Sequence, residues 1–240
     1  LRRRYRAAMA GTAETVLYLH HSEGVGPGWL GEAIDRVGIP TVFARLGEGE
    51  PLPDTTDWRA VVVLGGAMGA YEVIDHPYLV EEKQFIAELV AKEVPVLGIC
   101  LGSQLIADAL GGRAYKAPKP EGGLLALGVT EAGREDPFTS NLPDRVLVSH
   151  GDTFELPPGA ELLAFTDEYQ HIYRCGSALA IQAHPEAGAD LAVLATSRDG
   201  GGNIVAAGVD KEELIAELRA HEDVLREQSI RFFAAWVEII

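Results

Sequence analysis

The chain has 240 residues, 47% of them hydrophobic, a formal net charge of −16 and two cysteines. That length and apolar share suffice for a well-buried core, while the acidic excess argues against a nucleic-acid or acidic-membrane partner, since binding either needs clustered Lys and Arg. Two cysteines cannot build the disulfide framework of a secreted scaffold, and with no CxxC or HxxxH spacing neither a structural zinc site nor any other metal is expected.

The one basic cluster, Arg2, Arg3, Arg4 and Arg6, opens the chain. No apolar h-region follows it, so residues 1–12 are read as a disordered or tag-like tail rather than a secretory signal, and residues 13–240 as one domain. No run approaches the ~18 apolar residues of a membrane span. The expectation is a cytoplasmic protein.

Apolar runs bounded by turn residues predict strands over 15–20, 41–45, 60–64 and 96–99. Helices near 29–37 and 78–92 lie between them, the second carrying Leu79, Phe85, Ile86, Leu89 and Val90 as an apolar stripe. This alternation is the pattern of βαβ units, hence an α/β fold with a mostly parallel sheet. A helix over 101–110 stops at Gly111-Gly112. Shorter β-like stretches at 124–129, 145–148, 162–166, 172–174 and 178–182 then predict a small antiparallel extension. Helices over 187–196 and about 212–240 close the chain, with Asp199-Gly-Gly-Gly-Asn203 between them as a flexible connector. In the last helix Leu214, Ile215, Leu218, Val224, Leu225, Ile230, Phe232, Phe233 and Trp236 suit packing on the domain.

The segment Val94-Pro-Val-Leu-Gly-Ile-Cys100-Leu-Gly-Ser-Gln104 runs a buried strand straight into a helix, with a cysteine at the junction. Gly98 and Gly102 permit a tight turn free of Cβ clashes, the geometry of a nucleophile elbow. The helix N-terminus favours the thiolate, the reactive form, and leaves the Leu101 N–H facing the reaction centre. Cys175 has no such turn and is read as structural.

A thiol nucleophile that expels an amine needs a group to hold and return a proton, and imidazole does this best near neutral pH. His184 ends the apolar stretch 178–182 and is followed by Pro185 and Glu186, whose carboxylate is placed to orient and stabilise the imidazolium. His20 and His21, ending the first strand, read as surface features. His76, His171 and His221 have nothing converging on them. His150, after a strand and before a Gly turn, fits substrate contact and a structural role equally.

The loop Gly65-Gly66-Ala-Met68 follows the third strand and lets bare backbone approach a ligand. No GK[ST] follows, so it is not a phosphate loop, and Gly66 is better read as a second oxyanion N–H facing Cys100. The first loop, Gly24-Val-Gly-Pro-Gly28, is interrupted by proline and makes a poor dinucleotide fingerprint.

Taken in order, Gly65-Gly-Ala-Met68, Gly98-Ile-Cys-Leu-Gly-Ser-Gln104, Ser149-His-Gly-Asp152 and Gln182-Ala-His-Pro-Glu186 resemble class I (triad-type) glutamine amidotransferases. They are most similar to free-standing members like the glutaminase domain of GMP synthase, over roughly residues 15–190. Ala67 stands where that loop often has Pro, and Ala183 where an aromatic often precedes the histidine.

The resemblance implies a flavodoxin-like fold with Cys100 as nucleophile, His184 as base and Glu186 as orienting acid. Gly66 and Leu101 would bind the oxyanion beside Gly65, while Gln104, Ser149 and His150 would hold the amino-acid end of glutamine. No metal or organic cofactor is implied. An acid two residues after the histidine, rather than before it, sets this apart from a cysteine α/β-hydrolase.

Two enzymatic readings remain: ammonia delivered to a separate synthetase, or stand-alone hydrolysis of γ-glutamyl peptides or γ-glutamyl amines. A third, non-catalytic reading as a regulatory or binding subunit sits poorly with an intact triad.

Overall fold

The computed structural model describes residues 13–197 and 202–240. The tail expected at 1–12, and the 199–201 part of the glycine connector, lie outside the described residues. The first half follows β1 (Val16–His20), α1 (Gly28–Arg36), β2 (Thr41–Arg45), β3 (Ala60–Val63), α2 (Tyr78–Ala91), β4 (Val96–Ile99) and α3 (Leu101–Ala109). β1 pairs in parallel with β2 and β3, and β3 with β4.

Side chains alternate between the faces of a strand, and here both faces are covered. Val16, Tyr18, Val62 and Leu97 join Leu30 and Ile34 of α1 in one core. Leu17, Leu19, Val61 and Val63 join Leu79, Phe85 and Ile86 of α2 with Leu105 and Ile106 of α3 in another. Double coverage explains why β3 and β4 read as unbroken apolar runs, buried at every position.

In the second half, β5 (Arg113–Leu125) was not foreseen. Pro118 and Pro120 hide it, and a register shift between Lys116 and Glu121 accommodates them. The expected stretch 124–129 is split: its first two residues end β5, while β6 (Gly128–Val129) belongs to a different sheet. α4 (Glu131–Glu135) follows. β7 (Val146–Glu155) then runs seven residues past the expected end at 148, so His150 lies within a strand and Gly151 makes no turn.

β8 (Glu161–Phe165), β9 (Gln170–Cys175) and β10 (Ala178–Ile181) complete an eight-stranded sheet of order β2-β1-β3-β4-β10-β9-β8-β6, with β5 and β7 forming a separate antiparallel pair. β10 is parallel to β4 and antiparallel to β9. The result is an α/β, flavodoxin-like arrangement, mostly parallel with flanking helices and a small antiparallel extension.

α5 (Ala189–Ser197), α6 (Gly202–Ala206) and α7 (Lys211–Val237) follow. α7 starts where the Asp210 carboxylate accepts from the Glu213 N–H at 2.9 Å, satisfying an otherwise orphaned donor of the first turn. It buries Ile230, Phe232, Phe233 and Trp236 in the α1-side core and Leu214, Leu218 and Leu225 in a smaller cluster, while Val224 is exposed. Among the described residues no helix is long and apolar enough to cross a membrane.

Candidate active site

The site forms at the C-terminal ends of the central strands, where open α/β sheets present their crevices. β4 ends at Ile99 and hands the chain to Cys100, whose N–H donates to the Ile181 carbonyl at 2.7 Å, so the adjacent ends of β4 and β10 meet there. Cys100 has φ 51° and ψ −107°, backbone strain of ~1–3 kcal/mol of the kind held at functional sites. Neither flanking glycine supplies that φ; they supply space. A Cβ at Gly98 would lie 2.6 Å from the Gly102 carbonyl, and one at Gly102 2.0 Å from the Val63 carbonyl.

Beyond β10 the chain is held by a 2.7 Å bond from the His184 N–H to the Leu147 carbonyl of β7. His184 Nδ1–H donates to Glu186 Oε1 at 2.8 Å, leaving Nε2 for the thiol side. Burial alone would lower the pKa of His184. The Glu186 charge and the charge and hydrogen bond of Cys100 outweigh it and push the imidazole well above its ordinary value.

Glu186 is in turn placed by the first glycine loop. The Trp29 N–H donates to the Glu186 carbonyl at 2.9 Å, and Gly28, at φ 49°, lies so close that a Cβ would sit 2.0 Å from that oxygen. This loop, which made a poor nucleotide fingerprint, positions the acid.

Gly65 borders both Cys100 and His184: a Cβ there would lie 3.7 Å from Cys100 Cβ and 3.8 Å from His184 Cε1. Gly66 adjoins Leu101, and neither N–H has an acceptor among the described residues. Gly65, Gly66, Leu101, Gln104, Ser149 and His150 all border one cleft of about 190 Å³ with Cys100 and His184. That is below the ~300–1,000 Å³ of drug-sized sites.

Gln104 is largely committed to the protein, its Nε2 donating to Gln182 Oε1 at 3.2 Å and to the Asp152 carbonyl at 3.4 Å. Gln182, fully buried, aims its own Nε2 at Cys100 Sγ, 3.7 Å away. Sequence reasoning gave Gln182 no role, although it stood inside the quoted motif.

Two histidine readings change. His21 is buried, with Nε2 at 2.8 Å from Glu82 Oε1, and is no surface feature. His171 lies on β9 and meets Glu121 Oε2 at 2.8 Å, while His150 reaches the same oxygen at 3.0 Å. His150 also donates from Nδ1 to the Asp152 carbonyl at 3.0 Å, so both of its ring nitrogens are engaged by protein partners. Burial opposes ionisation of Glu121, but its side-chain contacts with His150, His171 and Thr166 hold its carboxyl far below the usual range. Burial lowers His171, outweighing Glu121.

The glutamine amidotransferase class-I family model matches residues 46–193. GMP synthase [glutamine-hydrolyzing] of Thermomicrobium roseum is 36% identical over 149 residues, 57% of this chain and 26% of the synthase. Gamma-glutamyl peptidase 4 of Arabidopsis thaliana is 35% identical over 161 residues, 61% of this chain and 62% of the peptidase. A glutamine amidotransferase crystal structure from Thermotoga maritima superposes with a TM-score of 0.79 at 30% identity, covering 91% of this chain and 95% of that one. The chain thus spans about a quarter of that synthase and under two-thirds of the peptidase.

Proposed function

This chain belongs to the class I glutamine amidotransferase family, and from that premise we propose that it hydrolyses a γ-glutamyl amide through a thioester on Cys100. The observation that carries the proposal is the strained Cys100 opposite the His184–Glu186 pair on one small cleft. The Cys100 thiolate attacks the γ-carboxamide carbon. N–H groups of Gly66 and Leu101 bind the oxyanion, each such donor being worth ~10²–10³ in turnover. His184, kept protonated by Glu186, gives its proton to the departing amine, then takes one from the water that opens the thioester. Gly65 leaves the approach clear. Gln104 and the Ser149-His150 segment shape the end that receives the α-amino and α-carboxylate groups, His150 acting through its backbone. Residues 13–240 act as one domain, in the cytoplasm, with no cofactor needed for this step.

Intact-mass spectrometry after treatment with 6-diazo-5-oxo-norleucine tests the reading. One adduct per chain in the native protein and none in Cys100→Ser supports it; a folded native protein that stays unlabelled in glutamine-competed and uncompeted samples alike counts against it.

A second reading is stand-alone hydrolysis of γ-glutamyl peptides, favoured by similarity to a named γ-glutamyl peptidase over 62% of that protein's length. Stoichiometric co-purification of a synthetase points to ammonia transfer. Turnover of γ-glutamyl dipeptides by the homogeneous protein points to the peptidase reading.

A further inference from the structure

We propose that Glu121, His150 and His171 form a binding site for one divalent first-row transition ion, with zinc the best-suited occupant. Each residue offers one donor atom, and the three atoms lie within 4.8 Å of one another. They come from β5, β7 and β9, so the ion joins the separate two-stranded sheet to an interior antiparallel strand of the main sheet.

Hydrogen-bond bookkeeping points to a cation. The Asp152 carbonyl only accepts, so His150 Nδ1 carries its proton. In a neutral ring Nε2 is then a lone pair, 3.0 Å from a carboxylate oxygen that is also an acceptor. Two acceptors at that distance need either a proton or a metal cation between them. A metal between them leaves His150 in the tautomer usual for ligating histidines, with Nδ1–H on a backbone carbonyl. Glu121 is anchored likewise, its other oxygen accepting from Thr166 Oγ1 at 2.7 Å. Two imidazoles and one carboxylate suit zinc and its neighbours rather than magnesium or calcium.

Side-chain exposures of 1%, 0% and 11% for His150, His171 and Glu121 enclose the site, which makes it a brace rather than a second catalytic centre. What it braces borders the cleft: His150 belongs to the wall, and the His171 carbonyl accepts from the N–H of Gln182 at 2.7 Å. Sequence spacing gave no hint, because the ligands lie 29 and 50 residues apart.

The test titrates chelator-stripped protein with zinc alone against a chromophoric competitor, and repeats the titration with cobalt. The expected result is one ion per chain, visible cobalt bands without thiolate charge transfer, unchanged affinity in Cys100→Ser, and a loss of at least about tenfold in His171→Gln and Glu121→Gln. Circular dichroism checks that the variants fold. A folded native protein that binds no stoichiometric ion overturns the proposal and leaves a plain hydrogen bond between His150 and Glu121. Binding lost in Cys100→Ser and kept in His171→Gln also overturns it, placing the ion at the cysteine.

Discussion

His184 and Glu186 stand two residues apart on one segment and face a cleft; His150, His171 and Glu121 arrive from three strands and are closed from solvent. Both groupings set imidazole against carboxylate, yet their surroundings divide the work. Beside Cys100, a partly open imidazole has its pKa raised and a thiol to exchange protons with. Around Glu121, burial lowers His171, and the partners on the carboxylate are two imidazoles and a threonine hydroxyl rather than a thiol. Access and neighbours, rather than residue types, separate the pair proposed to react from the group proposed to brace.

The largest test of that division is His184→Ala. Turnover of a γ-glutamyl amide should fall by ~10²–10⁴, the usual worth of a positioned acid–base group, on top of the stability lost by leaving the buried Glu186 without its imidazole. Glu121→Gln, in chelator-treated protein, should also destabilise, by ~3 kcal/mol in a denaturation experiment, by leaving buried histidines without their carboxylate, but with turnover reduced much less. Equal losses of turnover in the two variants would erase the distinction.

Gly28→Ala sharpens the comparison from outside. It forces a Cβ against the Glu186 carbonyl at a positive φ, so a loss of ~1–3 kcal/mol in stability should come with a turnover defect, which a mutation near Glu121 would not produce.

The pH dependence of stability is a finer probe. A raised folded-state pKa means that the contribution of His184 is fully present below the ordinary imidazole value and is lost as pH rises through the raised one. Glu186→Gln should lower that pKa and flatten the alkaline slope in unfolding experiments run across pH. The smallest effect belongs to Ile74→Ser: Ile74 is 92% exposed on the loop after Met68, so stability should stay within ~0.5 kcal/mol and turnover near native.

Much of the parallel half was legible in the sequence. β2 and β4 fall where their apolar runs begin and end, and α2 and α3 within a residue of theirs, because a strand covered on both faces and a helix with one apolar stripe each write a local pattern. The antiparallel half was harder: β5 carries two prolines, and only its pairing with β7 makes it a strand. At the site, the elbow and the His184-Pro-Glu186 unit were readable because each is continuous in the chain. Gln182 beside the sulfur, Gly28 beneath Glu186 and the meeting of His21 with Glu82 were not, since each depends on a partner tens of residues away.

The sequence by itself therefore determined the strand–helix alternation, the junction that strains Cys100 and the pairing of His184 with Glu186, all of them short-range consequences of backbone sterics and residue spacing. Only the tertiary structure decided which strand ends meet, which histidines lose their solvent and which carboxylate they share. Those outcomes depend on sheet order and register, which are settled by long-range packing.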